Sequence, residues 1–194
     1  MFKKYQQILL ICSLLIWVKS TNAQETNIQT IADNGWAKNT VNTVVFRKNS
    51  LTTFQNTQYA SYYDDEQFVV LAKRNIANGK WEVERTQYKG DATDAHKSIS
   101  IIVDGDGFLH IAWGQHGNNL NYAKSLAPNS LKLGVKESML RLKENKVSYP
   151  EFYNLKNGDL LFSYRDGSSG NGGLMMNKYD IKTKKWHRLQ DNLI

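Results

Sequence analysis

The chain has 194 residues, of which 25 are Lys or Arg and 18 are Asp or Glu, so its formal net charge is +7. Hydrophobic residues make up 41% of it and charged residues 22%, which excludes a disordered or coiled-coil chain and indicates one globular domain or part of one. The single cysteine excludes an intramolecular disulfide framework and a cysteine-based zinc site. The positive charge favours an anionic partner such as nucleic acid, anionic lipid or an acidic polysaccharide.

The N-terminus has the features of a secretory signal peptide. Lys3 and Lys4 form a basic start, residues 8–18 are an apolar run too short to span a bilayer, and small residues lead up to Ala23. We therefore expect cleavage after Ala23 and a secreted or periplasmic mature chain, residues 24–194; a retained membrane anchor is the alternative. Cleavage leaves 22 basic and 18 acidic residues, a net charge of +4. Export argues against nucleic acid as the partner, and no membrane contact is expected after cleavage.

The mature chain is predicted to be all-β, because short β segments are broken by Gly, Asn and Asp and few stretches have helical periodicity. The predicted strands are residues 59–63, 68–74, 80–86, 98–103, 109–113, 160–164 and 173–179, with a further candidate at 41–48. Hairpin turns are predicted at the Asn-Gly and Asp-Gly pairs 78–79, 104–105, 106–107 and 157–158. Residues 131–146 carry five basic side chains and are expected to form a solvated excursion.

A repeat of about 51 residues runs through these strands. Residues 61–64 align with 112–115 and then with 163–166, and each copy has a small residue, an aromatic, a variable position and a polar residue. Trp81 and Trp186 each close an outer hairpin after a polar turn. Such units are typical of propeller blades, which bury their faces against their neighbours. We therefore expect residues 24–194 to form an incomplete β-propeller of three to four blades, with the rest of the ring missing from a truncated chain.

Four residues stand out as candidates for chemistry. His96 lies just before a predicted strand and His116 just after one, where loops carry binding groups. Arg165 follows a strand and leads into a Gly-rich segment, and its planar guanidinium can hold a carboxylate or sulfate. Tyr149 precedes Pro150, which favours an extended backbone. Structural roles are the alternative for each, including a packing tyrosine and a surface pair of Arg165 with the next residue.

Other chemistries fit poorly. The sequence has no pair of histidines at metal-binding spacing on a helix and no Gly-x-Ser-x-Gly nucleophile motif. We expect no metal site and no cofactor. His110, in an alternating strand, and His187, in an outer hairpin, are interpreted as structural or surface residues.

Several of these segments together resemble a known family. The segments are residues 94–96, 102–110, 148–150 and 158–167 and the loop around His116. They are similar to the BNR-repeat-containing proteins of exported bacterial polysaccharide degradation, a pattern that also occurs in the seven-bladed β-propeller ulvan lyases. The similarity covers residues 35–194, and in that family the chain continues further, so this chain resembles an N-terminal part.

The resemblance implies an active site of two histidines, a tyrosine and an arginine, at His96, His116, Tyr149 and Arg165. Candidate substrate-binding residues beside them are Asn118, Gly170 and Asn171. It also implies β-elimination on an anionic, uronic-acid-containing and in some cases sulfated polysaccharide, without metal or organic cofactor.

In that reaction a group must offset the charge of the enolate-like intermediate, a role that suits Arg165 with one histidine. His96 is the first choice for the base that removes the C5 proton, with His116 assisting or neutralising. Tyr149 would protonate the leaving oxygen or share the role of base. Two alternatives stay open. One is a catalytically inactive, truncated carbohydrate-binding propeller fragment. The other is a sialidase-like glycoside hydrolase, which would need a cluster of arginines.

Overall fold

The regular elements of the protein are antiparallel strands. The computed structural model describes residues 28–43, 49–77 and 79–192. All of the strands described lie within one compact unit, Ile31–Ile194. They are Leu51–Phe54 (β1), Thr57–Tyr63 (β2), Phe68–Asn75 (β3), Glu82–Lys89 (β4), Ile99–Val103 (β5), Leu109–Trp113 (β6), His116–Asn118 (β7), Tyr122–Lys124 (β8), Val147–Asn154 (β9), Leu160–Ser168 (β10), Asn171–Asp180 (β11) and Lys185–Gln190 (β12).

These strands form three sheets in the described part of the chain. The first has the order β1-β2-β3-β4, the second β5-β6-β8, and the third β12-β11-β10-β9-β7. Strand β7 lies between β6 and β8 of the second sheet in sequence but pairs with β9 of the third sheet. The segment between β6 and β8 therefore ties the second sheet to the third.

The second sheet lies between the other two. Every residue of β5 and β6 is buried. Side chains alternate between the two faces of a strand, so Ile101 and Ile111 pack with the first sheet, whereas Ile102 and Ala112 pack with the third. Burial on both faces explains why these strands are almost continuously apolar in sequence.

Repeated positions occupy equivalent places in the three sheets. Trp113 is the last residue of β6 and packs in the core that the second sheet shares with the first. Tyr164 lies within β10 and packs in the core that the third sheet shares with the second. Tyr62 holds the same position in β2. Its neighbour Tyr63 packs toward the second sheet, so Tyr62 points to the opposite face, where it is half-buried and its hydroxyl lies 3.5 Å from Asn34 Oδ1.

A buried polar chain links the second and third sheets. Asp104 turns the chain from β5 to β6, and its Oδ1 accepts hydrogen bonds from the backbone N–H of Asp106 and Phe108. His110 Nε2 lies 3.1 Å from Asp104 Oδ2, and His110 Nδ1 lies 2.8 Å from the hydroxyl of Tyr122. That hydroxyl accepts a hydrogen bond of 3.2 Å from Trp186 Nε1 in β12. Trp186 therefore joins two sheets as well as closing its own hairpin.

The all-β prediction is confirmed for the described residues. All seven strands listed with definite bounds are present, and the turns at residues 104–107 and 157–158 connect β5 to β6 and β9 to β10. No strand was predicted at β1, β7, β8 or β9, whereas β12 forms with β11 the outer hairpin that was predicted to close at Trp186. Three expectations lie outside the described residues, wholly or in part: the signal peptide, the candidate strand at 41–48 and the turn at 78–79. Within the described part, no helix has the length and apolarity needed to cross a lipid bilayer.

Candidate functional site

Two histidines that are 20 residues apart in sequence stack on each other. His96 lies in the loop before β5 and His116 begins β7; their ring centroids are 4.4 Å apart with an interplanar angle of 23°. Both rings contact one carboxylate: Asp94 Oδ1 is 2.7 Å from His96 Nδ1, and Asp94 Oδ2 is 2.8 Å from His116 Nδ1. The His96 and His116 side chains are 51% and 32% exposed, so both can be reached by a ligand.

Tyr149 lies against this pair. Its ring centroid is 5.6 Å from that of His116 and 6.2 Å from that of His96. The extended backbone predicted from Pro150 is wrong, because Tyr149 has a φ of +56°. The reason is an irregularity in the pairing of β9 with β10: Ser163 pairs with Glu151 but Arg165 pairs with Ser148, so the two residues 149 and 150 lie opposite one. The bulge redirects the Tyr149 side chain and places a strained, non-glycine residue at the site.

Arg165 lies over the ring of Tyr149. Its guanidinium carbon is 5.0 Å from the centroid of the Tyr149 ring, and its Nη2 donates a 3.2 Å hydrogen bond to Ser148 Oγ. Nε of Arg165 is buried and has no hydrogen-bond partner among the described residues. The alternative of a surface pair with Asp166 is not what the structure shows, since Arg165 is held by Ser148 and Tyr149 instead. An arginine in this setting keeps donors available for an anionic ligand.

Ser148, which precedes Tyr149 in β9, contacts both the turn after His116 and the side chain of Arg165. It is fully buried and its hydroxyl oxygen also accepts a 2.8 Å hydrogen bond from the backbone N–H of Gly117. His116 pairs with Ser148 across β7 and β9. One hydroxyl group thereby fixes the turn that follows His116 and the guanidinium of Arg165.

The Asp94 carboxylate carries the negative charge of the site. Burial opposes its ionisation, but hydrogen bonds from the backbone N–H of His96 and from the His116 and His96 side chains outweigh that cost and hold the pKa of Asp94 well below its usual range. Asp94 is therefore ionised at neutral pH.

The same three side chains are the group in the described residues that could hold a metal ion. One ligand atom from each of Asp94, His96 and His116 lies within 4.8 Å of the others. A carboxylate and two imidazoles are a donor set that suits zinc or another transition metal. In the arrangement described, each carboxylate oxygen is within hydrogen-bonding distance of an imidazole nitrogen, so a metal would have to replace both contacts.

The three predicted substrate-binding residues lie in two different places: Asn118 in the histidine loop, and Gly170 and Asn171 in a hairpin turn. Asn118 Oδ1 accepts a 2.8 Å hydrogen bond from the backbone N–H of His116, so Asn118 shapes the histidine loop. Gly170 and Asn171 form the exposed tip of the β10–β11 hairpin, where Ser168 pairs with Asn171. The prediction that the strand ends at Arg165 and enters an open Gly-rich loop is wrong, because backbone pairing continues to Ser168. The glycines serve a tight hairpin, and Gly170 has a φ of +71°.

Sequence reasoning singled out the two histidines, Tyr149 and Arg165, and the structure brings all four together. It did not single out Asp94 or Ser148, although both lie in the quoted segments. The contact of Asp94 with His96 has a local signal, because an Asp commonly accepts a hydrogen bond from the backbone N–H two residues further on. Here Asp94 Oδ1 accepts a 3.0 Å hydrogen bond from the His96 backbone N–H. The contact of Asp94 with His116, 22 residues away, has no comparable signal.

Comparison with known proteins places this geometry in a family. Residues 57–194 match the BNR repeat-containing family, so the chain belongs to it. An ulvan lyase of Nonlabens ulvanivorans is 24% identical in an alignment 198 positions long, which covers 86% of this chain and 40% of that protein. The short isoform of the ulvan lyase of Alteromonas sp. (strain LOR) is 45% identical over 51 residues, which are 25% of this chain and 10% of that protein.

Solved structures share the fold. The polysaccharide lyase Uly1 superimposes with a TM-score of 0.67 at 18% identity, covering 87% of this chain and 45% of that one. An ulvan lyase bound to -[GlcA(1-4)Rha3S]- gives a TM-score of 0.67 at 17% identity, covering 82% and 40% of the two chains. The chain thus spans less than half the length of these relatives.

Proposed function

We propose that the protein is a polysaccharide lyase that cleaves a uronic-acid-containing polysaccharide by β-elimination. One observation carries the proposal: His96, His116, Tyr149 and Arg165 converge from separate loops and strands on one partly exposed site. These are a base, a second imidazole, a hydroxyl group and a fixed cation, which are the groups the reaction needs. Kinship with ulvan lyases supports the same reaction class.

The reaction begins with binding of the uronate carboxylate at Arg165, whose charge offsets the negative charge that builds up when C5 loses its proton. The His96 imidazole takes that proton. The electron pair of the C5–H bond becomes the C4–C5 double bond as the C4–O bond breaks, and the departing oxygen takes a proton from the Tyr149 hydroxyl. His116, stacked on His96, assists the base or adds to the neutralisation of the carboxylate.

The cation beside Tyr149 suits the hydroxyl for this role. The Arg165 guanidinium carbon lies 5.0 Å from the centroid of the Tyr149 ring, so a positive charge stands beside the proposed proton donor. The bulge that gives Tyr149 its positive φ holds the ring 5.0 Å from the Arg165 guanidinium carbon and 5.6 Å from the centroid of the His116 ring. Proton donor, charge acceptor and base thereby face the same space.

The substrate in this proposal is an anionic polysaccharide, and its uronic acid is the residue that is cleaved. A relative is known bound to -[GlcA(1-4)Rha3S]-, which contains a uronic acid. A sulfated neighbouring sugar is part of the proposal for this chain. Asn118, at the histidine loop, and Gly170 and Asn171, at the β10–β11 tip, are proposed to contact sugar units next to the cleaved bond.

The three sheets are proposed to be consecutive blades of a β-propeller. In support, the second sheet is packed on both faces by its sequence neighbours, and Asn49, just before β1, forms a parallel bridge with Ser100 of β5. The first strands of neighbouring sheets thus run side by side. Removal of residues 1–23 and export to the periplasm or the medium remain part of the proposal, since the substrate is extracellular.

The test is a lyase assay with ulvan and with glycosaminoglycans, in which the unsaturated uronate is followed by its ultraviolet absorbance. We expect the chain to form this product and His96→Ala to abolish it, because the base is lost. His187→Ala is the matched control: His187 is exposed in β12 and should leave the rate unchanged.

Three outcomes contradict the proposal. Undiminished product with His96→Ala would remove His96 as the base. Binding of polysaccharide by the wild-type chain without any product would favour a carbohydrate-binding protein. New reducing ends without ultraviolet absorbance would favour a glycoside hydrolase.

A further inference from the structure

The carboxylate of Asp94 contacts both imidazole rings of the site. Asp94 Oδ1 faces His96 Nδ1 at 2.7 Å and Asp94 Oδ2 faces His116 Nδ1 at 2.8 Å. Asp94 is ionised, so its oxygens only accept hydrogen bonds, and each Nδ1 must therefore carry a proton. In a neutral imidazole the other nitrogen, Nε2, then has a free lone pair.

The stacking fixes where those lone pairs lie. The two rings are nearly parallel, with 23° between their planes and both Nδ1 atoms directed at Asp94. Nε2 is on the far side of each ring, and neither Nε2 makes a hydrogen bond to a residue that the structure describes. Both proton-accepting atoms therefore face away from the carboxylate.

We propose that Asp94 is a positioning residue that locks His96 and His116 together in the Nδ1–H tautomer, so that both present an unprotonated Nε2 to the substrate. This inference rests on the proposed lyase function for its catalytic meaning. It assigns Asp94 no contact with substrate: it acts through the two rings. Asp94 thereby determines which ring nitrogen carries the proton in both His96 and His116.

The substitution Asp94→Asn tests the lock with little change in shape. Asp94 Oδ1 accepts two bonds, from the backbone N–H and from Nδ1 of His96, whereas Oδ2 faces only His116. The amide oxygen of Asn should therefore take the Oδ1 position, and Asn retains the turn that this oxygen caps. Its NH₂ group then faces His116 and can only donate, which requires an unprotonated Nδ1 on His116 and moves the proton to Nε2.

The primary measurement is ¹⁵N NMR of the imidazole nitrogens in the whole chain at pH 9, well above the ordinary histidine pKa of about 6.5. His96→Gln and His116→Gln assign the signals. We expect both rings to be Nδ1–H in the wild type, and His116 alone to switch to Nε2–H in Asp94→Asn. Asp65→Asn, at an exposed position in the β2–β3 turn, is the control for loss of one negative charge and should change neither ring.

The proposal is overturned if either wild-type ring is Nε2–H, or if His116 stays Nδ1–H in Asp94→Asn. A backbone ¹H–¹⁵N spectrum like that of the wild type establishes that the variant is folded. In the lyase assay, Asp94→Asn should lower kcat by about 10²- to 10⁴-fold with little change in KM, as expected when a histidine is held in the wrong tautomer. A tautomer switch in a chain that forms no unsaturated product would support the lock and refute the lyase proposal, so the two failures are distinguishable.

Discussion

The buried polar chain between the second and third sheets makes a quantitative prediction for Tyr122→Phe. The substitution deletes one hydroxyl group from a side chain that is 2% exposed. That hydroxyl donates to His110 Nδ1, because His110 Nε2 is engaged with Asp104, and it accepts from Trp186 Nε1. Phe at this position leaves one buried acceptor and one buried donor without a partner.

Each unpaired buried group costs about 1–3 kcal/mol. Trp186 is 9% exposed and can regain part of its loss through water, whereas His110 is fully buried and cannot. We expect the free energy of unfolding to fall by about 2–4 kcal/mol, a large share of the ~5–15 kcal/mol that stabilises a typical domain. With a urea dependence of about 2 kcal/mol per molar, the midpoint moves down by about 1–2 M.

Urea unfolding followed by tryptophan fluorescence measures this shift. Tyr62→Phe is the matched control, since it removes the same group from a half-buried ring whose hydroxyl lies 3.5 Å from Asn34 Oδ1. The control should change stability by no more than about 0.5 kcal/mol. If Tyr122→Phe shifts the midpoint no further than Tyr62→Phe, the hydroxyl does not join the sheets as described.

Two further predictions concern pH and metal. Burial lowers the pKa of His110 below the ordinary value of about 6.5, so between these two values the unfolded chain binds more protons than the folded one. The free energy of unfolding should therefore fall as the pH drops below about 6.5. The substitution His110→Gln should flatten this pH dependence, measured by urea unfolding between about pH 5 and 7. An unchanged slope would show that His110 does not carry this dependence. Treatment with EDTA should leave the lyase rate unchanged, because the proposed steps use side chains alone and both oxygens of Asp94 already contact imidazoles; a loss restored by added Zn²⁺ would show that Asp94, His96 and His116 hold a metal.

Seven of the strands could be predicted from sequence because their physical signals are local. The apolar runs in β3, β5 and β6 give their type and bounds, and Asp-Gly pairs give the turn between β5 and β6. Strands β7 and β8 have three residues each, too few for periodicity to appear. Their existence depends on pairing with distant strands.

The candidate site was predictable residue by residue but not in its geometry. Strand ends and family resemblance nominated His96, His116, Tyr149 and Arg165. The backbone of Tyr149 was predicted wrongly, because the local effect of Pro150 is overridden by a bulge that depends on the pairing of β9 with β10. The role of Asp94 depends on a contact across 22 residues, which no local pattern encodes.

The alternation of β5 makes two adjacent residues responsible for different halves of the protein. Ile101 packs into the core shared with the first sheet and Ile102 into the core shared with the third. Trimming either side chain to Val should therefore couple, in a double-mutant cycle, with substitutions on its own side and add independently to those on the other. Each core can therefore be weakened through one of two adjacent side chains, although both side chains belong to the same strand.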